Sequence, residues 1–575
     1  MLYVMRRDHI SFSQSYAISQ PLPEWRSRVV VAFISLAFFA LVARGFWVQV
    51  WNSRFYIQRG EARYGRLLSA RAPRAQIVDR NGNVLAIGEP ADDLWVDPRF
   101  FVNANEGQVH VIASVLSLSY EEVEAYRRSN RRFVYLKRLV AHSTAAPLLA
   151  QDIPGLYGVR GERRFFPEGE LAAQVVGLAG RGGDGVEGVE LAANSQLKGR
   201  GETREVVVDR LGRVIEDPEY KGVLLPAERL ELSIDRNIQR MAFDALKRGV
   251  ARSEAQAGCA IVLDTATGEI LALVNVPTFD PNVPSSGGVL PIRNRALTDA
   301  FEPGSTIKPL VVAMAMERGV IRPQTMFDTS PGVLHFHGAE IHDTSNHGTI
   351  STVDVIAKSS NIGMVKISEM LASRDMWGGF RQFGVGAMPL TGFPGVTSGM
   401  LHAPSHWRPL EQATMAYGYG LSVSLAQLAG AYQALANDGV KVPLTLYRRQ
   451  KPAVDTVRVV SRRVATQVRD MLEAAVASGG TATMGALPNY RAGAKTGTAR
   501  KSDGGGYAAR KYIGVFAGIA PMSLPRIVVA VMIDTPTKGS FYGGPVAGPV
   551  FAEIAQNSLS YLGVRPDRVR SAAKN

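Results

Sequence analysis

A serine hydroxyl becomes a nucleophile when a lysine amine stands within reach, and residues three apart share a helix face. The pattern Ser-x-x-Lys occurs three times in this chain: Ser195 with Lys198, Ser305 with Lys308, and Ser571 with Lys574. Context separates them. Only Ser305 follows a turn-forming Glu302-Pro303-Gly304 and precedes an apolar helical run, Leu310 to Met316. Pro309 has no amide hydrogen and fits only a helix's first turn, so a helix must begin close to Ser305. The hydroxyl then lies at the positive end of the helix dipole, beside unpaired N–H groups that stabilise a developing oxyanion. A serine there, considered by itself, is more often a helix cap.

Two further groups shift that balance. Ser359-Ser360-Asn361 is the one Ser-x-Asn in the chain, and Lys495-Thr496-Gly497 the one Lys-Thr/Ser-Gly. With Ser305 and Lys308 they follow the order and coarse spacing of a trio known from class A β-lactamases and penicillin-binding proteins. Each element has a physical job. Ser359 can relay a proton to a leaving amine, and Asn361 can orient Lys308 or a substrate amide. Lys495 adds a second cation that lowers the pKa of Lys308 and attracts a carboxylate. Thr496 and Thr498 can hold that carboxylate, and Gly497 lets its strand lie close to the serine helix. The backbone N–H groups of Ser305 and Thr498 would form the oxyanion hole.

The elements that must position these groups can also be read. Ala260–Leu263 and Ile270–Val274 flank the turn Asp264-Thr265-Ala266-Thr267-Gly268, and Tyr512–Ile519 with Arg526–Ile533 reads as a second strand pair. Between them lies helical sequence, including a face of Leu425, Leu428, Ala429, Tyr432, Leu435 and Ala436 stopped by Asn437-Asp438-Gly439. Outer hairpins around a helical insert make an α+β or α/β layer architecture. Upstream, Asn52 to about Arg229 is rich in charge, short strands and turns, with Asn81-Gly82 as a hairpin turn and a glycine-rich patch from Gly180 to Gly188.

At the amino terminus, Val29 to Ala43 carries no charge, and Gly45 to Val50 extends the apolar run past Arg44. About 20 residues cross a bilayer, which this stretch reaches if Arg44 snorkels to an interface. Trp25, Trp47 and Trp51 flank the span as an aromatic belt. Arg6, Arg7, Arg26 and Arg28 outweigh Asp8 and Glu24 before it, so the tail is expected in the cytoplasm and the body outside. A cleaved signal peptide is the weaker reading, since Leu41 rather than a small residue precedes Ala43 by two positions.

Export decides what the charge means. The 575 residues are 46% hydrophobic and 20% charged, with a net charge of +14. That composition excludes a disordered chain, and the lone Cys259 excludes an intramolecular disulfide framework or a cysteine-rich metal site. A body outside the cytoplasm does not meet nucleic acid, so anionic lipid or an anionic wall precursor is the expected partner class. The densest basic run, Arg127, Arg128, Arg131, Arg132, Lys137 and Arg138, reads first as a solvated face of a helix beginning at Tyr120–Tyr126, and second as a partner or lipid surface.

Taken together, the motifs resemble those of a class B penicillin-binding protein, a monofunctional peptidoglycan D,D-transpeptidase. Phe301 to Pro309 (FEPGSTIKP), Lys358 to Gly363 and Tyr417 to Ser422 (YGYGLS) resemble the septal subtype, penicillin-binding protein 3. Ile77 to Gly82, Arg164 to Gly169 and Glu187 to Glu190 resemble the family's non-catalytic motifs, read here as turn chemistry. The resemblance implies four parts: a cytoplasmic tail, 1–28; a single transmembrane helix, 29–50; a non-catalytic α+β pedestal, 51–229; and a penicillin-binding/serine β-lactamase-like transpeptidase domain, 230–575, with an antiparallel sheet, helices and a helical subdomain. It implies acylation of Ser305 by a stem peptide, loss of D-Ala, and transfer to a neighbouring amine, with β-lactams as inhibitors and no metal or cofactor. It further implies the cytoplasmic membrane at the division septum as location, and a membrane glycan polymerase and other division proteins as partners.

Alternatives remain at this stage. An elongation-type transpeptidase shares the trio, although a Pro-Pro-Gly turn is more usual before its serine. A β-lactamase would need a glutamate after the serine to activate water, whereas the one Glu-x-x-x-Asn, Glu190 with Asn194, precedes it. A β-lactam sensor or division scaffold would bind without turnover. His335, His337, His342 and His347 crowd one stretch with Glu340 and Asp343. They read as a polar hairpin rim ahead of a zinc site, with His335 and His337 sharing a face if the stretch is a strand.

Overall fold

The computed structural model describes residues 23–70, 73–180, 182–199, 202–208, 214–216, 227–283, 291–502 and 507–568. Arg6, Arg7 and Asp8 of the tail, and the Ser571–Lys574 pair, lie outside them. The chain divides into two compact units, one of residues 1–71 with 200–225, the other of residues 72–199 with 226–575.

In the first unit α1, Glu24–Phe46, continues as a π-helical turn, Trp47–Trp51. Residues Glu24–Trp51 form the one helix, among the described residues, long and apolar enough to cross a membrane. Strand Gly65–Ala70 pairs antiparallel with Glu202–Val208, which in turn pairs with Val214–Glu216.

The second unit holds the pedestal sheet and the large domain after it. β1 (Ile77–Val78) and β2 (Val84–Val96) are joined by the expected Asn81-Gly82 turn, where Gly82 adopts φ +84° and the buried Asp79 carboxylate accepts from the amides of Asn81 and Asn83. β2 pairs with β3 (Val134–Ala141) on one side and with β4 (Leu156–Phe165) on the other. Leu94, Val96, Leu136 and Leu156 bury one face against a helical layer that includes Val109, Ile112 and Val123. Tyr120–Arg127 is the helix α2. The basic run, however, is no single helix face. α2 stops at Arg127, Arg131 and Arg132 lie in the connection, and Lys137 and Arg138 sit on β3, because Val134 to Ala141 carries the apolar positions of a strand. Arg127 and Arg128 both pair with Glu124.

The large domain is a five-stranded antiparallel sheet. Helix α3 (Arg236–Arg252) leads into β5 (Ala257–Asp264) and β6 (Ile270–Val276). Then come α4 (Lys308–Glu317), the hairpin β7 (Val333–Phe336) and β8 (Ala339–His342), α5 (Asn361–Glu369) and α6 (Leu425–Ala436). The chain returns to the sheet with β9 (Gly493–Ser502), β10 (Tyr507–Ala520) and β11 (Ile527–Asp534), and closes with α7 (Gly543–Tyr561). The strand order is β6-β5-β11-β10-β9.

Alternation along the strands feeds two cores. Ala260, Val262, Val529 and Val531 pack with α3 and α7 on one face, while Cys259, Ile261, Ala530 and Met532 pack with α4 and α6 on the other. The sheet therefore sits between two helical layers, with the expected helical insert forming one of them. Cys259 is fully buried, and burial holds its thiol well above the usual range, so it is inert. The pedestal caps α3 directly: Arg236 N donates to Asp79 Oδ2 at 3.0 Å, and Asn81 Nδ2 to Asp235 Oδ2 at 2.9 Å.

Candidate active site

Ser305 sits in a 3₁₀ turn, Gly304–Ile307, that runs straight into α4, whose first turn accommodates Pro309. The helix is buried on all sides, so it is a fixed post rather than a mobile surface element. Ser305 is half-buried, and Lys308, one turn on, is completely buried. Tyr432 of α6 donates its hydroxyl to Thr306 O at 2.9 Å, and Thr306 Oγ1 donates to Pro303 O at 2.6 Å, which pins the turn from both sides.

The second motif closes over the lysine. Lys308 Nζ donates to Ser359 O at 2.6 Å, Asn361 Oδ1 at 2.7 Å and Ser359 Oγ at 3.2 Å. Ser359 adopts φ +61°, a strained conformation for a residue with a side chain, and this turns its carbonyl towards the amine. Ser360 instead caps α5, accepting from Gly363 N at 2.9 Å. The middle residue of Ser-Ser-Asn thus anchors the helix while the outer two face the lysine.

The third motif lies along β9. Gly497 has no room for a side chain: a Cβ there would stand 2.6 Å from Pro303 O, so β9 lies hard against the serine turn. A Cβ on Gly304 would likewise stand 3.1 Å from Thr498 O and 3.4 Å from Thr498 N. This close approach brings the Thr498 peptide beside the start of the serine helix. Lys495 is fully buried, with Nζ 3.4 Å from Thr496 O and 3.5 Å from Thr481 Oγ1. Thr498 Oγ1 accepts from Gly543 N at 3.0 Å, so α7 helps to place it. All eight residues expected from the sequence therefore gather around the Ser305 turn. Ser305 Oγ makes no hydrogen bond with any described residue.

Electrostatics follow from burial. Lys308 lies well below the usual lysine range, first because burial disfavours its charge and second because Lys495 repels it, with the Asp343 carboxylate opposing both. Burial alone takes Lys495 down to about 7. Neither amine touches a carboxylate among the described residues.

Asp343 is the residue that motif reading missed. It follows the β7–β8 hairpin, and its carboxylate accepts from Ser360 Oγ and Asn361 N, each at 2.5 Å, and from Ile362 N at 3.1 Å. It caps α5 and fixes the residues that grip Lys308. Asn361 Nδ2 also donates to His342 O at 2.9 Å. The hairpin is seated by Leu334, Phe336 and Ile341 packing with Ile362 and Val365. Its nearness to Ser360 in sequence gave no hint, because the contact is made through the hairpin.

The histidines resolve otherwise than their spacing suggests. His337 is in the hairpin turn at φ +46°, not on a strand face with His335. His335 faces Glu340 across the hairpin at 3.6 Å, and His342 reaches the same carboxylate at 3.5 Å. Among the described residues, no three His, Cys, Asp or Glu side chains are arranged to hold a metal ion. The other Ser-x-x-Lys is excluded by place: Lys198 pairs with Asp184 in the pedestal. Glu190, the glutamate of the β-lactamase alternative, is fully buried and bound to Arg74 and Arg164, each at 2.6 Å.

Residues 258–556 match the family model described as penicillin binding protein transpeptidase domain, and residues 69–223 match the penicillin-binding protein dimerisation domain. The chain belongs to the penicillin-binding protein transpeptidases. It is 36% identical over 552 residues to the probable peptidoglycan D,D-transpeptidase PenA of Neisseria meningitidis, covering 95% of this chain and 94% of the relative. It is 34% identical over 557 residues to the peptidoglycan D,D-transpeptidase FtsI of Escherichia coli, covering 96% and 94%. The apo transpeptidase domain of Burkholderia pseudomallei penicillin-binding protein 3 is 45% identical with a TM-score of 0.55, covering 59% of this chain and 98% of that one. This penicillin-binding protein is thus a peptidoglycan D,D-transpeptidase of the FtsI type, and its one candidate membrane span among the described residues, together with the FtsI relatives, supports a single-pass inner-membrane protein.

Proposed function

We propose that this enzyme cross-links septal peptidoglycan through an acyl-enzyme on Ser305, and that β-lactams inhibit it by acylating the same hydroxyl. The observation that carries the reading is the grip on Lys308. A neutral amine has two protons and one lone pair. Ser359 O and Asn361 Oδ1, the two nearest oxygens, take the protons, so the lone pair is on the side of the serine hydroxyls: it can accept from Ser359 Oγ, 3.2 Å away, at rest and take the Ser305 proton in the reaction.

Ser305 Oγ then attacks the carbonyl carbon of the penultimate D-Ala as Lys308 takes its proton. The oxyanion is met by the N–H groups of Ser305 and Thr498. The C–N bond to the terminal D-Ala breaks, and the leaving amine receives a proton relayed through Ser359. Lys495, Thr496 and Thr498 hold the terminal carboxylate. An amine of a neighbouring stem peptide next attacks the ester and loses a proton to Lys308, which passes it to Ser305 Oγ as the C–O bond breaks. A β-lactam opens its ring in the first step and retains its leaving group, which blocks the second.

The boundaries 1–28, 29–50, 51–229 and 230–575 belong to the same proposal. The flanking arginines keep the tail in the cytoplasm and the pedestal and catalytic domain in the periplasm. Glycan polymerisation then falls to a membrane partner at the division site, together with other division proteins. Depletion in cells tests the septal role: filaments with unclosed septa are expected, whereas rounded cells would assign the enzyme to elongation.

A further inference from the structure

One face of the pedestal sheet carries a feature that acyl transfer does not use. Trp95 on β2 is paired with Tyr135 on β3 and with Tyr157 on β4. Residues paired across a sheet project to the same side. Leu94, Val96, Leu136 and Leu156, next to them in sequence, point into the pedestal core. The three aromatic residues therefore form a row on the face turned away from that core. Phe133, in the connection before β3, joins it.

The rings touch one another in sequence. Trp95 lies between Tyr157 and Phe133, with centroids 4.6 Å from each, and Phe133 meets Tyr135 edge-on at 4.6 Å. Phe133 is 45% exposed, Tyr157 42% and the neighbouring Val159 56%, so the row faces solvent. The Trp95 indole N–H is shielded and has no acceptor, so stacking rather than hydrogen bonding holds the ring. Half-exposed rings gathered side by side, rather than scattered singly, are what an interaction surface presents.

Cations line its rim. Arg138 lies with its guanidinium carbon 3.5 Å from the Tyr135 ring centroid. Arg131 and Arg132 are exposed in the connection leading to Phe133. Among the described residues none of these three forms an ion pair. Asp97, a carboxylate close enough to feel Arg132, is already bonded to Arg99 at 3.0 Å. An open row of rings edged by arginines that form no ion pair among the described residues suits an extended ligand that is both stackable and anionic.

We propose that this row binds a glycan strand of peptidoglycan. The apolar C–H faces of the sugar rings would lie on Tyr157 and Phe133, and free carboxylates of the stem peptides carried along the strand would meet Arg131, Arg132 and Arg138. The enzyme's substrate is built on such strands, so the ligand is supplied by the established activity. A row rather than a pocket leaves a polymer free to shift along it while its stem peptides visit Ser305. The inference rests on the reading that the body faces the cell wall.

The test uses the full chain in detergent, with Ser305 already acylated by penicillin so that stem peptides cannot enter the active site. The probe is uncross-linked glycan strands that keep their stem peptides, whose carboxylates supply the charge. Tyr157→Ala with Phe133→Ala is expected to weaken binding about tenfold. Arg131→Gln with Arg132→Gln should weaken it severalfold and flatten its salt dependence. Acylation by penicillin should be unchanged in both, which separates this proposal from the assignment of Ser305. Should the aromatic variant fail to fold, the arginine variant decides alone. Unchanged affinity in the folded variants overturns the proposal. So does a preference of the wild type for vesicles of phosphatidylglycerol over the glycan, or equal binding of an uncharged chitin oligosaccharide.

Discussion

The pedestal and the catalytic domain each bury a pair of cations around one point, and they do so to opposite effect. In the pedestal, Arg74 and Arg164 grip one buried carboxylate, Glu190, and Arg74 donates further to Gly183 O, Asn194 Oδ1 and Glu190 O. In the catalytic domain, Lys308 and Lys495 are buried with oxygens of neutral groups only. An arginine keeps its charge in either setting, whereas a lysine without a carboxylate gives up its proton. Compensation makes the first cluster a rivet. Its absence makes the second a base.

The contrast can be broken at four points, in descending order of effect. Lys308→Arg restores a permanent charge where the mechanism needs a lone pair, and acylation by penicillin should fall about 10³-fold; stopped-flow labelling reads the rate, and a change below tenfold would remove Lys308 as the base. Glu190→Gln leaves two buried guanidiniums facing a neutral amide and should cost about 3–5 kcal/mol of stability. Denaturant unfolding measures that loss, and the folded fraction should still acylate at the wild-type rate.

Asp343→Asn should slow acylation about 10–100-fold by loosening Asn361. It also removes the carboxylate that raises the pKa of Lys308, so the acid limb of the rate profile should move to lower pH. A purely structural role would leave that limb in place. The smallest effect concerns Lys495. Its pKa of about 7 means that it carries charge below pH 7 and loses it above, while Lys308 must be neutral to act. Acylation should therefore rise from acid pH as Lys308 deprotonates and fall on the alkaline side as carboxylate attraction fades. Lys495→Arg keeps the charge and should abolish the alkaline fall, with less than tenfold loss at the optimum.

Much of this site was legible before any coordinates. The Pro309 constraint on the helix start is local chemistry, and Pro309 does lie in the first turn of α4; the three motifs were read from residue order and resemblance, and the structure brings them together, with Gly497 needed for a contact with Pro303 that only the fold creates. The Asn81-Gly82 turn and the Asn437 stop after α6 are local too. What escaped is non-local. Asp343 acts through a hairpin whose seating depends on Ile341 and Phe336 meeting Ile362 and Val365. The basic run looked helical because Tyr120–Arg127 is a helix, but the strand pairing of Val134 with Val96 and Tyr135 with Trp95 takes over after Ser129. His337 looked like a strand residue until the turn claimed it. In each case a tertiary partner, absent from the local pattern, chose the conformation.

Every step of the mechanism depends on Ser305 as the acylated residue. Intact-mass measurement of the full chain with a fluorescent penicillin, wild type against Ser305→Ala, addresses it most directly. One covalent adduct is expected on the wild type, persisting after free penicillin is removed, and none on a folded Ser305→Ala. An adduct on the mutant, or rapid turnover of the drug by the wild type, would contradict it.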